Sequence, residues 1–370
     1  MIFIIISIVL SLFALIESKL LFYMSSIVVW LVFSLTYGYG YDWINYKNDY
    51  AHCLEANWRP FFAEPGLYLI MKVFAYLGAS FSTFMFFVNS FIYYIVFYFC
   101  NKLKNPSLAF FTLFSFLGLF VFSEWIRQGV ALCLVMLALM YLNSGKKGKY
   151  FSLIILAVTF HFTAILGIVS YFLSDSKENY KKTILVSSLI TFVLLISLYN
   201  PYVLAWLPIF GEKISGYSDV LSESGETYIE YITSSRTIIF YFGVYFLFVM
   251  ARKKYDTSYS SVISMYLVFL SRLGRPLVRI GYYFIPALVL YADECWAPYG
   301  KNTRTKFIKI IYILSILMIS SIPVWNPLYW DGTYYHVTPF SSKNDVSFVI
   351  ANKCRIINLY IDNHTIKQCK

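Results

Sequence analysis

The sequence predicts an all-α, polytopic integral membrane protein with roughly 11–13 membrane segments, some of them short or re-entrant. Three observations predict it. Of the 370 residues, 59% are hydrophobic and only 13% charged, against roughly 25% charged in an average soluble domain. Apolar runs recur at or just below the length of about 20 residues that a spanning helix needs. The basic residues behind the net charge of +11 sit mostly in short connectors between these runs, where they set orientation and meet lipid phosphate; they form no face that could track nucleic acid.

The runs fall at 2–16, 20–36, 81–100, 107–123, 125–142, 150–172, 183–199, 236–251, 258–271, 276–292 and 306–322. The first lacks a basic leader and a small-residue cleavage site, and reads as a retained helix. Together they make one membrane domain over residues 1–322, with loops at 37–65 and 200–235, followed by a polar C-terminal tail at 323–370. Basic residues resist translocation. The connectors bearing Lys102 and Lys104, Lys146, Lys147 and Lys149, and Arg252, Lys253 and Lys254 are therefore assigned to the cytoplasm. The 200–235 loop, with five carboxylates and one lysine, faces outward, as does 37–65. This assignment leaves an odd crossing between Lys149 and the acidic loop. Either 201–211 crosses or 150–172 is broken near His161, while 66–78 is too short to span.

The polar residues are informative because each is costly at membrane depth. A centred Arg costs about 2.5–3.5 kcal/mol on insertion scales and tends to face a cavity or a partner. Arg127 in SEWIRQ, Arg236, and Arg272, Arg275 and Arg279 in SRLGRPLVRIGYYF all fall on the outward side, which the orientation rule says should be poor in basic residues. Arginine forks suit phosphate oxygens, so the pattern points to a bound anion; snorkelling or pairing with loop carboxylates is the structural alternative. If WINYKND is helical, Asp42, Tyr46 and Asp49 share one face. Glu64 precedes Pro65 at a helix start, where it is placed to cap backbone amides, and Asp42 is placed to do the same. His161 lies about eleven residues, or roughly 16 Å, into its apolar run.

Absent motifs exclude other chemistry. There is no G-x-S-x-G, Walker lysine, H-E-x-x-H or dinucleotide fingerprint, and the six cysteines form no C-x-x-C pair. No metal or cofactor is expected. Cys354 and Cys369 share the polar tail, and an oxidising compartment would allow them to pair.

In order along the chain stand Gly40-Tyr41-Asp42 with Tyr46, Glu64-Pro65-Gly66, Arg127-Gln128 with Ala131, Lys149-Tyr150-Phe151 through Ala157 to Phe160-His161, and Arg279 with Tyr282-Tyr283-Phe284. This series resembles the EpsG-like, Wzy-type family of bacterial polysaccharide polymerases over roughly residues 20–290. TYYHVTPF resembles the family's late P-Y segment, with Phe340 where Tyr is expected. The resemblance implies an enzyme of the inner membrane that makes O-antigen, capsule or exopolysaccharide. Such an enzyme transfers a growing glycan from undecaprenyl diphosphate to the sugar hydroxyl of the next lipid-linked oligosaccharide repeat. It works in the lipid bilayer beside a flippase and a chain-length regulator and needs no nucleotide sugar.

On that reading Asp42, Glu64 and His161 are candidate bases. Arg127, Arg272, Arg275 and Arg279 are candidates for holding diphosphate, Gln128, Tyr46 and Tyr282 bind substrate, and Trp43, Tyr46 and Trp58 are candidate sugar platforms or members of an interfacial aromatic belt. Competing classes are another lipid-linked glycan transferase or ligase, a membrane acyltransferase, or a lipid-linked oligosaccharide flippase, which should show polar lining on both halves and an internal repeat. The topology is checked by Gly148→Cys: the thiol is expected to resist an impermeant reagent applied from outside, and labelling would invert the assignment.

Overall fold

A computed structural model describes residues 2–55, 64–173, 176–200, 228–255, 258–274, 277–296, 303–361, 366 and 369. The chain is helical throughout these residues, save for turns and one isolated antiparallel bridge. It divides into two compact units, Met1–Ile168 with Asn302–Lys370, and Val169–Lys301.

The first unit contains α1 (Ile2–Ile16), α2 (Lys19–Ser34), α3 (Asp42–His52), α4 (Pro65–Tyr76), α5 (Phe81–Asn101), α6 (Pro106–Leu117), α7 (Ile126–Asn143) and α8 (Lys147–Phe160). Polar residues mark the starts. Ser18, Ser80 and Asn105 accept hydrogen bonds from Leu21, Thr83 and Leu108 amides, which would otherwise lack helical partners. Pro106 follows Asn105 at a position where its missing N–H costs nothing. α1 packs on α6 and α2, α5 on α2, α6 and α7, and α7 on α8. Aromatic rings fill the centre: Phe33 lies 5.0 Å from Phe3, 5.6 Å from Tyr39, 5.5 Å from Tyr93 and 5.7 Å from Phe114, centroid to centroid.

Three expected continuous runs are interrupted. The 107–123 run ends in a π-turn, Phe120–Glu124, in which the Trp125 amide donates to the Phe120 carbonyl at 2.7 Å. The 150–172 run breaks at His161, whose backbone is extended, and continues as a 3-10 turn, Phe162–Ile168. This is one of the two alternatives that the crossing parity left open; the other, a crossing by 201–211, lies outside the described residues.

The unit is completed by the end of the chain: α16 (Thr303–Ser321), α17 (Pro327–Gly332) and α18 (Lys343–Tyr360), numbered after the second unit's helices. α16 packs on α1 and α6, with Thr112 and Tyr312 hydroxyls 3.0 Å apart, and its Lys309 pairs with Glu17. The polar tail is therefore built into the unit. Ser342 and Asp345 form a capping box at the start of α18, and a Cys354–Cys369 disulfide fastens its later part.

The second unit holds α9 (Val169–Phe172), α10 (Lys177–Tyr199), α11 (Tyr228–Ser234), α12 (Arg236–Tyr255), α13 (Tyr259–Leu270), α14 (Val278–Gly281) and α15 (Ile285–Trp296). α13 is its centre, packing on α10, α12 and α15. The expected 276–292 run is broken here into α14, a 3-10 turn Tyr282–Phe284, and α15.

Among the described residues, four helices are long and apolar enough to cross a membrane, or up to five if the pair Tyr228–Ser234 and Arg236–Arg252, bent by 63°, is one span. Shorter apolar helices are Ile2–Ile16, Lys19–Ser34, Pro106–Leu117, Phe162–Phe172 and Tyr259–Leu273. The protein is thus an all-α, multi-pass membrane protein with several short or broken segments. Replacing the ring at the centre of the first unit, Phe33→Ala, is expected to lower stability by about 3–5 kcal/mol, and Phe33→Leu by less; thermal denaturation of detergent-extracted protein checks both.

Candidate active site

The loop between α2 and α3 is held from several sides. Tyr37 exchanges backbone hydrogen bonds with Val337, both at 2.8 Å. The Tyr39 ring stacks on His336 at 5.2 Å, and the Tyr41 hydroxyl donates to the Leu328 carbonyl at 2.8 Å. Lys353, fully buried on α18, donates to the carbonyls of Tyr39 and Gly332 at 2.8 Å each. A side-chain carbon on Gly40 would fall 0.8 Å from Glu124 Oε2, so the glycine of the Gly40-Tyr41-Asp42 motif makes room for a carboxylate. Glu124 Oε1 accepts from the amides of Tyr41 at 2.7 Å and Asp42 at 3.0 Å. It caps α3 from another element, where a negative charge is favoured by the helix dipole. The expectation that Asp42 caps this helix is not met: Asp42 is its first residue, and no side chain at the N-cap position itself makes the bond.

Glu124 lies in the turn between α6 and α7. Burial pushes its pKa up to about 7, with Asp42's charge adding to the rise and the two amides and Lys353 opposing it. Burial likewise pulls Lys353 down to about 7, opposed by Glu124. The Tyr39 phenol is raised by burial to about 12. Burial also raises Tyr41, reinforced by the nearby charge of Glu124.

α7 presents Arg127 from its first turn. Nη1 donates to Glu64 Oε2 at 2.8 Å, with side-chain exposures of 29% and 6%. Glu64 Oε1 accepts from the Phe162 amide at 3.1 Å. One carboxylate thus neutralises an arginine and satisfies the amide freed where the helix breaks at His161. It does not cap its own helix, so the expected capping role gives way to a tertiary one. Gly66 brings α4 close: a side-chain carbon there would lie 2.9 Å from the Phe160 ring. The Tyr46 ring centroid is 5.7 Å from the Arg127 guanidinium, and Tyr46, Glu64 and Asp42 are the groups acting electrostatically on it. His161 Nδ1 lies 2.7 Å from the Thr163 hydroxyl.

The first unit therefore brings together Asp42, Tyr46, Glu64, Arg127 and the His161 break. Gln128 is enclosed, with 0% exposure. Trp43 is a core residue at 2% exposure, packed edge-on to Tyr37 and against Gly38, so it offers no sugar platform. Trp58 lies outside the described residues. Among the described residues, no group of three or more His, Cys, Asp or Glu is arranged to hold a metal ion.

In the second unit, Arg272 lies in the 3-10 turn Ser271–Leu273 that follows α13, with 8% exposure. Its guanidinium sits over the rings of Tyr241 at 4.1 Å and Tyr282 at 5.0 Å, and the Tyr231 hydroxyl donates to its carbonyl at 2.9 Å. Nε and Nη2 are buried without hydrogen-bond partners among the described residues. Arg279 is half-buried on α14. Arg275 lies outside the described residues.

Glu124 and Lys353 carry the geometry around Asp42, and sequence reasoning missed both. Signals were present. Glu124 stands three residues before Arg127, and Lys353 interrupts the buried stripe Val349, Ile356 and Ile357 at helical spacing. Glu64→Ala is expected to cost about 3 kcal/mol, since it removes the carboxylate bonded to both Arg127 and the Phe162 amide; the midpoint of thermal denaturation checks it, with Glu64→Gln milder because it keeps an acceptor oxygen.

No curated protein and no solved structure is significantly similar to the chain. A family model does match, over residues 19–342, which extends past the expected limit near residue 290 and takes in the TYYHVTPF segment that pairs with the Tyr37 loop. That match spans most of the chain and every motif set out above, and the protein belongs to the EpsG family, a family of Wzy-like polysaccharide polymerases.

Proposed function

We propose that this polymerase joins oligosaccharide repeat units carried on undecaprenyl diphosphate into a surface polysaccharide at the outer face of the bacterial inner membrane. In the reaction, a sugar hydroxyl of one lipid-linked unit attacks the anomeric carbon of the glycan on another. The glycosidic bond forms, the carbon–oxygen bond to the lipid diphosphate breaks, and the hydroxyl proton passes to a base. The chemistry therefore asks for a base at the acceptor and for cations at the departing diphosphate. A positioned base contributes roughly 10²- to 10⁴-fold, and donors aimed at developing charge contribute several kcal/mol.

The observation that carries the reading is Arg272. A guanidinium with 8% exposure, lying on two tyrosine rings with Nε and Nη2 unbonded among the described residues, is an energetically poor arrangement unless an anion completes it. The fork fits diphosphate oxygens. Arg279, on the next short helix, and Arg275 are assigned to the same anion. Arg127 differs, because Glu64 already offsets its charge; its role is to orient Tyr46 and Asp42. Asp42 is assigned as the acceptor base, in preference to Glu64, which is committed to Arg127 and the Phe162 amide. His161 is kept as the second candidate.

The outward placement draws support from the tail. Disulfides form in oxidising compartments, and Cys354, bonded to Cys369, adjoins the Lys353 that grips the Tyr39 carbonyl. On this reading the helix and the loop it grips share the oxidising side.

Arg272→Ala is expected to lower polymer output about a hundredfold at equal membrane protein level, and Arg272→Lys, which keeps the charge but not the fork, by less. Unchanged polymer length and amount would reject the diphosphate assignment. Deleting the protein should leave single-repeat glycan on gels; complete loss of glycan would point to an earlier step.

A further inference from the structure

The carboxylate that contacts Asp42's own backbone is not one of the assigned bases. Glu124 reaches α3 from the π-turn that precedes α7, and its Oε1 holds the Tyr41 and Asp42 amides. Glu124 is the last residue of that turn, whose i→i+5 bond from the Trp125 amide to the Phe120 carbonyl sets it apart from the regular helix. Gly40 is the only residue type that leaves space for Oε2. Lys353 supplies the counter-charge. It enters from α18, contacts the carbonyl of Tyr39, the residue before Gly40, and lies 4.9 Å from the centre of the Tyr41 ring. Asp42 and Lys353 are also the charged side chains that act on Glu124. The Tyr39 carbonyl and the Tyr41 and Asp42 amides are therefore all held by groups from distant parts of the chain.

We infer that Glu124, countered by Lys353, is a positioning residue for the polymerisation reaction, fixing the first turn of α3 so that the Asp42 carboxylate meets the acceptor hydroxyl. This rests on the assignment of Asp42 as the base. The last fifth of the chain then belongs to the catalytic apparatus: α18 and its disulfide deliver Lys353, and through it the position of a loop about three hundred residues earlier. A misplacement on the order of 1 Å in a reacting group can cost about a hundredfold in rate, so a residue that touches no substrate can control turnover.

The experiment is a double-substitution cycle in a deletion strain, measuring the initial rate of polymer accumulation per unit of membrane protein. Glu124→Ala and Glu124→Gln are each introduced into the unaltered protein and into Asp42→Asn. Glu124→Ala is expected to slow polymerisation about ten- to hundredfold. Glu124→Gln, which keeps an oxygen for the two amides, should slow it less and covers the case in which the alanine variant fails to accumulate. In the Asp42→Asn background both should add almost nothing, because residues acting through one another are not additive. If Asp42→Asn slows the reaction and the Glu124 substitutions cost the same factor in both backgrounds, Glu124 is merely structural and the inference is overturned while the base assignment stands. If Asp42→Asn leaves the rate intact, the base assignment fails, and the inference with it.

Discussion

A carboxylate occupying the place of a side chain organises the first unit. Glu124 can bond the Tyr41 and Asp42 amides only because Gly40 has no Cβ. That single contact joins the turn before α7 to the start of α3. Much else around it serves the same junction: the Tyr37–Val337 bridge, the Tyr39–His336 stack, the Tyr41 bond to Leu328, and the Lys353 ammonium. Burying an isolated carboxylate costs several kcal/mol. Two amides, a helix N-terminus and an ammonium together offset that cost.

The same economy governs the broken helices. A helix interrupted at membrane depth leaves amides and carbonyls without partners, and no water is there to satisfy them. At His161 the Phe162 amide is taken by Glu64, which also neutralises Arg127. Glu64 thus answers two needs, one of charge and one of backbone satisfaction, as Glu124 does at the start of α3. The result is a cluster tied together by its own partners, with Asp42 and Tyr46 beside Arg127.

Arg272 follows a different logic. Its guanidinium lies on tyrosine faces, where cation–π attraction contributes about 0.5–2 kcal/mol, and its Nε and Nη2 have no hydrogen-bond partner among the described residues. An arginine neutralised by a carboxylate is a structural tie; an arginine cushioned on aromatic rings keeps its donors for a ligand. This contrast is why the proposed function gives the anion to Arg272 and leaves Arg127 to order its neighbours.

The all-α membrane class, the positions of most helices and the irregularity near His161 were legible in the sequence, because hydropathy and chain length act locally and a spanning helix must satisfy its own backbone. The motifs containing Gly40, Asp42, Glu64 and Arg127 were legible too, as residue types out of place on an apolar chain. What those residues do was not. Glu64 looked like a cap for its own helix and is a partner of Arg127 and the Phe162 amide. Trp43 looked like a sugar platform and is core. Lys353, in a segment that reads as a polar tail, is the most enclosed cation of its helix. Local sequence dictates which elements form and which residues are costly. How that cost is met depends on the fold, because charge compensation is a through-space interaction that brings residue 353 to residue 39 and residue 124 to residue 40, and no local pattern encodes such distances.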